Sequence, residues 1–177
     1  VGASTGGFTD CALKHGARRV YALDVGYGQL AWKLRCDPRV VVLDRVNARY
    51  LRPKIIPEKV DFVLIDVSFI SLTKVLPAVI PCLAAEGQIL ALVKPQFEAG
   101  RDKVGKKGLV RDPHVHVEVL EKLVSFSREL GLAVRGLTHS PLKGAAGNIE
   151  YFLLLGRGKE ETLPPIKRVV QTAHVAL

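Results

Sequence analysis

The sequence predicts an α/β fold built on a mostly parallel sheet with helices on both faces, and three observations carry that prediction. Runs at 20–24, 40–43, 60–65 and 88–93 are rich in Val, Ile and Leu with little polar alternation, as strands buried on both faces are. Stretches of helical periodicity separate them. The chain opens on Val1-Gly2-Ala3-Ser4-Thr5-Gly6-Gly7, a glycine-rich turn running through Phe8 into an apparent helix over 9–15, and Asp24 follows at about the twenty-residue spacing at which an acid meets a ribose diol in Rossmann-like folds. The glycines at 2, 6 and 7 match neither a Walker loop nor the dinucleotide fingerprint. The plain alternative is a glycine turn in a generic α/β domain with a surface aspartate.

Each element has its own signal. Periodicity resumes over 29–35 and stops at Asp37-Pro38, because the residue before proline avoids the helical region. Trp32 within it reads as a buried or half-buried core aromatic, although a base-stacking role is open. Asn47 falls in the loop after the 40–43 strand, and Asp66 ends the 60–65 strand. Ser71 is placed to cap the next helix, Pro77 and Pro81 to kink or split it, and Gly87 to end it. Lys94-Pro95 comes at the end of the 88–93 strand. Residues 96–111 combine three glycines with Arg101, Lys103, Lys106, Lys107 and Arg111, which reads as a mobile cationic loop suited to RNA phosphates. Asp112-Pro113 is an N-cap and N1 pair, the helix after it runs to Leu130, and Gly131 stops it. Strands over 132–137 and 149–155 close the domain, joined through 143–148, and 158–177 is expected to be an appended tail with a short helix.

Composition narrows the partners. A chain of 177 residues, 48% hydrophobic, is long enough for one domain with a sizeable core. With 26 Lys and Arg against 17 Asp and Glu its net charge is +9, which suits a polyanion, though a soluble surface explains the charge as well. Cys11, Cys36 and Cys82 are odd in number and lack metal-like spacing, so a reduced, cytoplasmic setting without a metal is expected. The apolar run 75–85 is broken by two prolines and is too short to span a bilayer. The glycine loop begins almost at once, so further residues, including the strand such a loop follows, are expected before Val1.

Gly2, Asp24, Asn47, Asp66 and Lys94 all fall just after strand runs, where a parallel sheet collects its ligand. Lysine ending an apolar strand is unusual, and Glu150, among Ile149, Tyr151 and Phe152, needs a buried partner, for which Lys94 is the candidate.

These residues sit in five ordered motifs: Gly2-Ala-Ser-Thr-Gly-Gly-Phe-Thr-Asp10, Asp24-Val-Gly-Tyr-Gly-Gln-Leu-Ala-Trp32, Asp66-Val-Ser-Phe-Ile-Ser71, Lys94-Pro-Gln-Phe-Glu98 and Gly147-Asn-Ile-Glu-Tyr-Phe152. Together they resemble the methyltransferase domain of the TlyA family, an FtsJ-like branch of S-adenosylmethionine-dependent RNA 2′-O-methyltransferases that carries a historical hemolysin label. The resemblance implies a Rossmann-like methyltransferase fold with a seven-stranded sheet, spanning 1–157 with its first strand truncated, followed by the tail 158–177. It also implies methyl transfer from S-adenosylmethionine to a ribose 2′-hydroxyl of ribosomal RNA, S-adenosylhomocysteine as product, and ribosomal RNA or a ribosomal subunit as partner, away from membranes. The family's Lys-Asp-Lys-Glu tetrad falls on Asp66, Lys94 and Glu150. Its first lysine and an S4-like RNA-binding domain would precede Val1. Cofactor positions carried over are Gly2, Ser4, Gly6, Phe8, Asp24, Asn47 and Asp66. Lys94 is expected to act on the hydroxyl. The rival readings are a non-catalytic RNA-binding or assembly module that keeps the cleft, and a membrane-lytic protein, disfavoured by the lack of a spanning or clearly basic amphipathic segment.

Overall fold

The computed structural model describes residues 1–52 and 54–177. Strands β1 (Val20–Leu23) and β2 (Val40–Leu43) pair in parallel, while β3 (Val60–Ile65), β4 (Leu83–Val93), β5 (Ala133–His139) and β6 (Tyr151–Gly156) form a second sheet in the order β3-β4-β6-β5. The first three residues stitch the two sheets together. Val1 N donates to Leu64 O at 2.8 Å and Asp66 N to Val1 O at 3.0 Å on one side, and Gly2 and Ala3 N both donate to Leu23 O, at 2.8 and 3.0 Å, on the other.

Six strands are therefore seen among the described residues, not seven, and the sheet is mixed. Of its four strand pairings, β1/β2 and β3/β4 are parallel and β4/β6 and β5/β6 antiparallel. The reason lies in the connections. A parallel neighbour needs a crossover of about a dozen residues or more, usually a helix, but β5 and β6 are joined through a short loop with a single 3-10 turn, Ala145–Gly147.

Helix α1 (Gly7–Lys14) and a four-residue α2 (Trp32–Arg35) cover the first sheet. In α3 (Leu72–Val79) Ser71 Oγ accepts from Thr73 N, as expected of a cap; Pro77 sits inside the helix without splitting it, and the helix ends at Val79, where a 3-10 turn at Ile80–Cys82 holds Pro81. Gly87 does not end that helix. It lies inside β4, where a Cβ would press on the Leu83 side chain and approach Val60 O to 3.1 Å, so close strand packing explains this glycine. A short α4 (Pro95–Glu98) follows Lys94, and α5 (Pro113–Glu129) begins on Asp112, whose side chain accepts from His114 N. Segment 158–177 carries α6 (Ile166–Ala176), whose Val169, Val170 and Ala173 are buried and which packs on α5 and β5.

The apolar residues divide into two clusters. The larger one gathers α3, α5, α6 and β3–β6 around fully buried Ile65, Leu76, Leu120, Leu123 and Leu155. The smaller one holds only Leu13, Ala22, Leu30 and Leu34 between α1, α2 and β1. Trp32 belongs to neither and is 78% exposed, contrary to the core role its periodicity suggested. A helix of one turn, Trp32–Arg35, buries a single residue, Leu34, and leaves Trp32 on its outer side.

Candidate functional site

The carboxyl ends of β1, β3 and β4 meet at the Val1–Gly7 turn, and the expected acids and lysine gather there. Asp24 is half-buried, and its carboxylate is held by backbone alone: Ser4 N donates to Oδ2 and Gly26 N to Oδ1, each at 2.8 Å. Each oxygen keeps lone-pair capacity for a hydroxyl, so the carboxylate is oriented without being saturated. Ser4 takes φ 47° to make this turn. Two of the loop glycines are required by the protein's own packing. A Cβ on Gly2 would overlap the Asp66 carbonyl, and one on Gly6 the Leu34 side chain, and both glycines have positive φ. Phe8 is half-buried in the first turn of α1. Asn47 is exposed and caps the 3-10 turn Ala48–Tyr50 by accepting from Arg49 N at 3.0 Å. Its loop is tied to Asp24 through Val46 N→Asp24 O at 2.9 Å.

At the end of β4, the Lys94 side chain is only 14% exposed, and its Nζ stands 2.6 Å from Asp66 Oδ1 and 3.2 Å from Ser68 Oγ. The approach to Asp66 is an ion pair rather than an aligned hydrogen bond, since Oδ1 has no partner meeting the angular requirement. Glu150, 6% exposed, does not hydrogen-bond Lys94 as expected. Its Oε1 accepts from Gln96 Nε2 at 3.4 Å, and Lys94 acts on it through charge. Burial pushes the Glu150 carboxyl above the usual carboxylate range, with the Lys94 charge and the Gln96 bond pulling the other way. Asp66, Lys94 and Glu150 thus share one pocket corner, with the first two in contact and the third held beside them.

Three supporting residues were not read from the sequence. A Cβ on Gly144 would overlap the Glu150 carboxylate, so the bare backbone here is what leaves room for that acid. Asn148 lies 2% exposed, and its side chain accepts from Val110 N at 3.0 Å and donates to Gly108 O at 2.9 Å, pinning the end of the cationic loop beside Glu150. Glu98 is buried, with its pKa raised by burial, and accepts from Ser71 Oγ at 2.6 Å and Leu72 N at 2.7 Å, joining α4 to the start of α3. The only available sequence signals were a Gly and an Asn in a loop and an acid inside an apolar stretch, none specific by itself.

The cationic segment is more structured than a mobile loop. It forms 3-10 turns at Arg101–Lys103 and Lys106–Gly108, and Lys103 pairs with Glu118 of α5. Arg101, Lys106, Lys107 and Arg111 are exposed and make no ion pair among the described residues. A groove of about 550 Å³ runs beside this segment, lined by Phe69, Gln96, Phe97, Arg101, Lys107 and Asn148 among others. Phe69 is 91% exposed at φ 63°, with its ring centroid 4.9 Å from that of Phe97. A bulky residue held in the left-handed region and presented to solvent is the kind of local strain that collects at binding sites.

A mixed α/β sheet with a glycine turn, a backbone-held acid and a lysine-carboxylate corner at its strand ends defines a nucleotide-type cleft of the methyltransferase class. The chain belongs to the FtsJ-like methyltransferase family, which matches residues 1–157. YqxC of Bacillus subtilis (strain 168) is 54% identical over all of this chain and 66% of its own length. The 16S/23S rRNA (cytidine-2′-O)-methyltransferase TlyA of Mycobacterium tuberculosis (strain CDC 1551 / Oshkosh) is 53% identical over 88% of this chain and 58% of its own. A solved structure from Streptococcus thermophilus, of a protein carrying the hemolysin name, superposes with a TM-score of 0.92 at 46% identity, covering 99% of this chain and 65% of that one. The chain thus spans about 58–66% of the length of these curated relatives.

Proposed function

We propose that this chain is the catalytic domain of an S-adenosylmethionine-dependent ribosomal RNA 2′-O-methyltransferase. The observation that carries the reading is the Lys94 amine, nearly buried at the end of β4 against Asp66 and beside Glu150, which Gln96 links to the groove. Family membership and the relative named as an rRNA (cytidine-2′-O)-methyltransferase support both the reaction and the substrate.

The residues present fit the cofactor. The Asp24 carboxylate, fixed by two backbone N–H groups, has acceptor capacity left for a ribose diol, and Gly2 and Gly6 let the turn close over the strand ends. In this reading Phe8, Asn47 and Asp66 also face the cofactor. When bound, S-adenosylmethionine supplies an electrophilic methyl group.

The protein's part is to orient and activate the acceptor. A ribose hydroxyl is a weak nucleophile near neutral pH, so it needs a partner for its proton and a fixed line of attack. In this reading Lys94 Nζ contacts that hydroxyl and, in its unprotonated form, takes the proton that the hydroxyl gives up on methylation. Asp66 and Ser68 fix the amine's position, and Glu150 adds negative charge near it. The exposed cations Arg101, Lys106, Lys107 and Arg111 flank the groove that would admit the RNA, with Lys103 committed to Glu118. We also read the Val1 position, bonded to β1 on one side and β3 on the other, as the end of a seventh, central strand contributed by residues before it.

The test is transfer of labelled methyl groups from S-adenosylmethionine to ribosomal RNA by the full-length protein, with the product mapped to a ribose. RNA binding without transfer would favour the non-catalytic assembly reading. Among the described residues no helix is long and apolar enough to cross a membrane, and leakage of lipid vesicles would be the finding that revives a lytic role.

A further inference from the structure

Gln96 has no role in the reading above, yet its amide stands at the junction of the catalytic corner and the groove. It is the second residue after Lys94 and follows Pro95, which occupies the first helical position of α4 and fixes the local backbone. Its Nε2 donates to Glu150 Oε1 at 3.4 Å. Its Oε1 is buried and has no hydrogen-bond donor among the described residues, while the residue as a whole lines the groove with Phe69 and Phe97.

The chemistry fixes which end faces which way. An ionised carboxylate only accepts, so the amide's NH2 group belongs toward Glu150 and the carbonyl turns away from it. Buried acceptors are normally paired, and an exception calls for an explanation. Two buried side-chain oxygens lack a hydrogen-bonded donor among the described residues, and both are here: Asp66 Oδ1, which has the Lys94 charge against it, and Gln96 Oε1, which has nothing. A carbonyl in this state beside a substrate groove is preorganised to take a donor from whatever enters.

We propose that Gln96 is a substrate-positioning residue: its carbonyl accepts a hydrogen bond from the target nucleotide while its NH2 group steadies the Glu150 carboxyl. The proposal rests on the RNA methyl-transfer reading. The donor is an O–H or N–H group of that nucleotide, and two sources have the right chemistry, the ribose 2′-hydroxyl itself and an exocyclic amine of the base.

The experiment uses the full-length protein and its RNA substrate. Gln96→Leu keeps the volume and removes both functions, so kcat/KM should fall by roughly tenfold or more, the loss expected when a buried polar contact is deleted. S-adenosylhomocysteine affinity, measured by calorimetry, should stay at the parental value. RNA affinities then identify the donor. If it is the hydroxyl, a 2′-deoxy target nucleotide weakens binding to the parent more than to Gln96→Leu, which keeps the Lys94 contact; if it is the amine, a base with that amine replaced by hydrogen weakens binding to the parent but not to Gln96→Leu.

Gln96→Glu keeps an acceptor and adds a carboxylate beside Glu150, where Asp66 and Lys94 are the other charges, so the acid limb of the pH–rate profile should move to higher pH. The added charge would move that limb whatever Gln96 does, so the deciding reading is the coupling: the Gln96→Glu carboxylate still accepts, and the nucleotide change that weakens binding to the parent should weaken binding to this variant too, which it would not do if Gln96 only filled space. Gln96→Glu also serves as the second variant should the leucine protein fail to fold. An active parent with Gln96→Leu methylating at the parental rate, or with neither nucleotide change coupled to Gln96, overturns the proposal and leaves the functional reading standing. A parent that transfers no methyl group overturns the functional reading itself.

Discussion

The two halves of the molecule do their work with different materials. On the β3–β6 side, the lysine-carboxylate corner rests on a deep core and is made of side chains: Lys94 against Asp66, Glu150 against Gln96, and Asn148 bracing the loop behind them. On the β1–β2 side, the four-residue cluster Leu13, Ala22, Leu30 and Leu34 supports a surface in which Tyr27, Trp32 and Tyr50 are each more than half exposed, and the one acid of interest, Asp24, is held by backbone N–H groups. The contrast suggests a division of labour. On the proposed reading, the amine sits where packing fixes rotamers, whereas the acid assigned to the ribose is held by the backbone amides of a turn.

That comparison breaks first at Lys94. In the full-length protein Lys94→Ala should reduce methyl transfer by about 10²–10⁴-fold, the range attributed to a positioned proton-transfer group. Cofactor affinity should survive, because the amine belongs to the other half. Single-turnover transfer and calorimetry on the same variant decide it, and an alanine enzyme of near-parental rate would remove the mechanism.

Gly144→Ala tests whether the side-chain corner is as tightly set as it looks. The added methyl group would displace the Glu150 carboxylate and leave Lys94 and Asp66 in contact, and a misplacement of about 1 Å near the chemistry can lower the rate by roughly 10²-fold. Gly136→Ala is the matched control. A Cβ there, within β5 and away from the site, makes only ordinary contact with Leu154 at 3.5 and 3.8 Å, and the change should be silent. Equal behaviour of the two variants in a kcat assay would deny Gly144 its special position.

Asp24→Ala probes the backbone-held half. Losing a charged hydrogen-bond acceptor of this kind amounts to about 1.5–3 kcal/mol, so S-adenosylhomocysteine affinity should drop at least tenfold while the fold is retained. Unchanged affinity in calorimetry would mean that the carboxylate serves only to shape the turn through Ser4 and Gly26.

How far the sequence could be read follows the same division. Elements announced by local chemistry were legible: the Ser71 and Asp112 caps, the helix end before Pro81, and the Gly131 stop, which takes φ 75°, although Pro77 is carried inside α3 without breaking it. So was the gathering of Asp24, Asp66 and Lys94, because each ends a buried strand on the same edge of the sheet. What failed depended on tertiary neighbours. Trp32 follows helical periodicity, but only one turn of helix forms there. Gly87 reads as a helix stop, but it is a packing glycine between Leu83 and Val60. Lys94 was matched to Glu150, but Asp66 and Ser68 are the groups that reach it. The value of Gly144 is invisible in one dimension, since nothing about the residue announces a carboxylate lying against it.

The smallest effect should come from the cationic segment, and it separates residues that composition alone treats alike. Lys103 is paired with Glu118, whereas Arg101, Lys106 and Lys107 are exposed without ion pairs, and two of them line the groove. Each phosphate contact by an unpaired cation releases condensed counterions, giving a slope of about −0.7 in log affinity against log salt per contact on single-stranded RNA. Neutralising Arg101, Lys106 and Lys107 together should therefore flatten the salt dependence of RNA binding by roughly two units. Neutralising Lys103 should change the slope little, because its charge is already answered by Glu118. Cofactor affinity should be the same in all of these variants. Filter binding across a salt series is enough to decide, and a Lys103 variant that flattens the slope as much per charge as the other three would show that the pairing with Glu118 does not persist when RNA is bound.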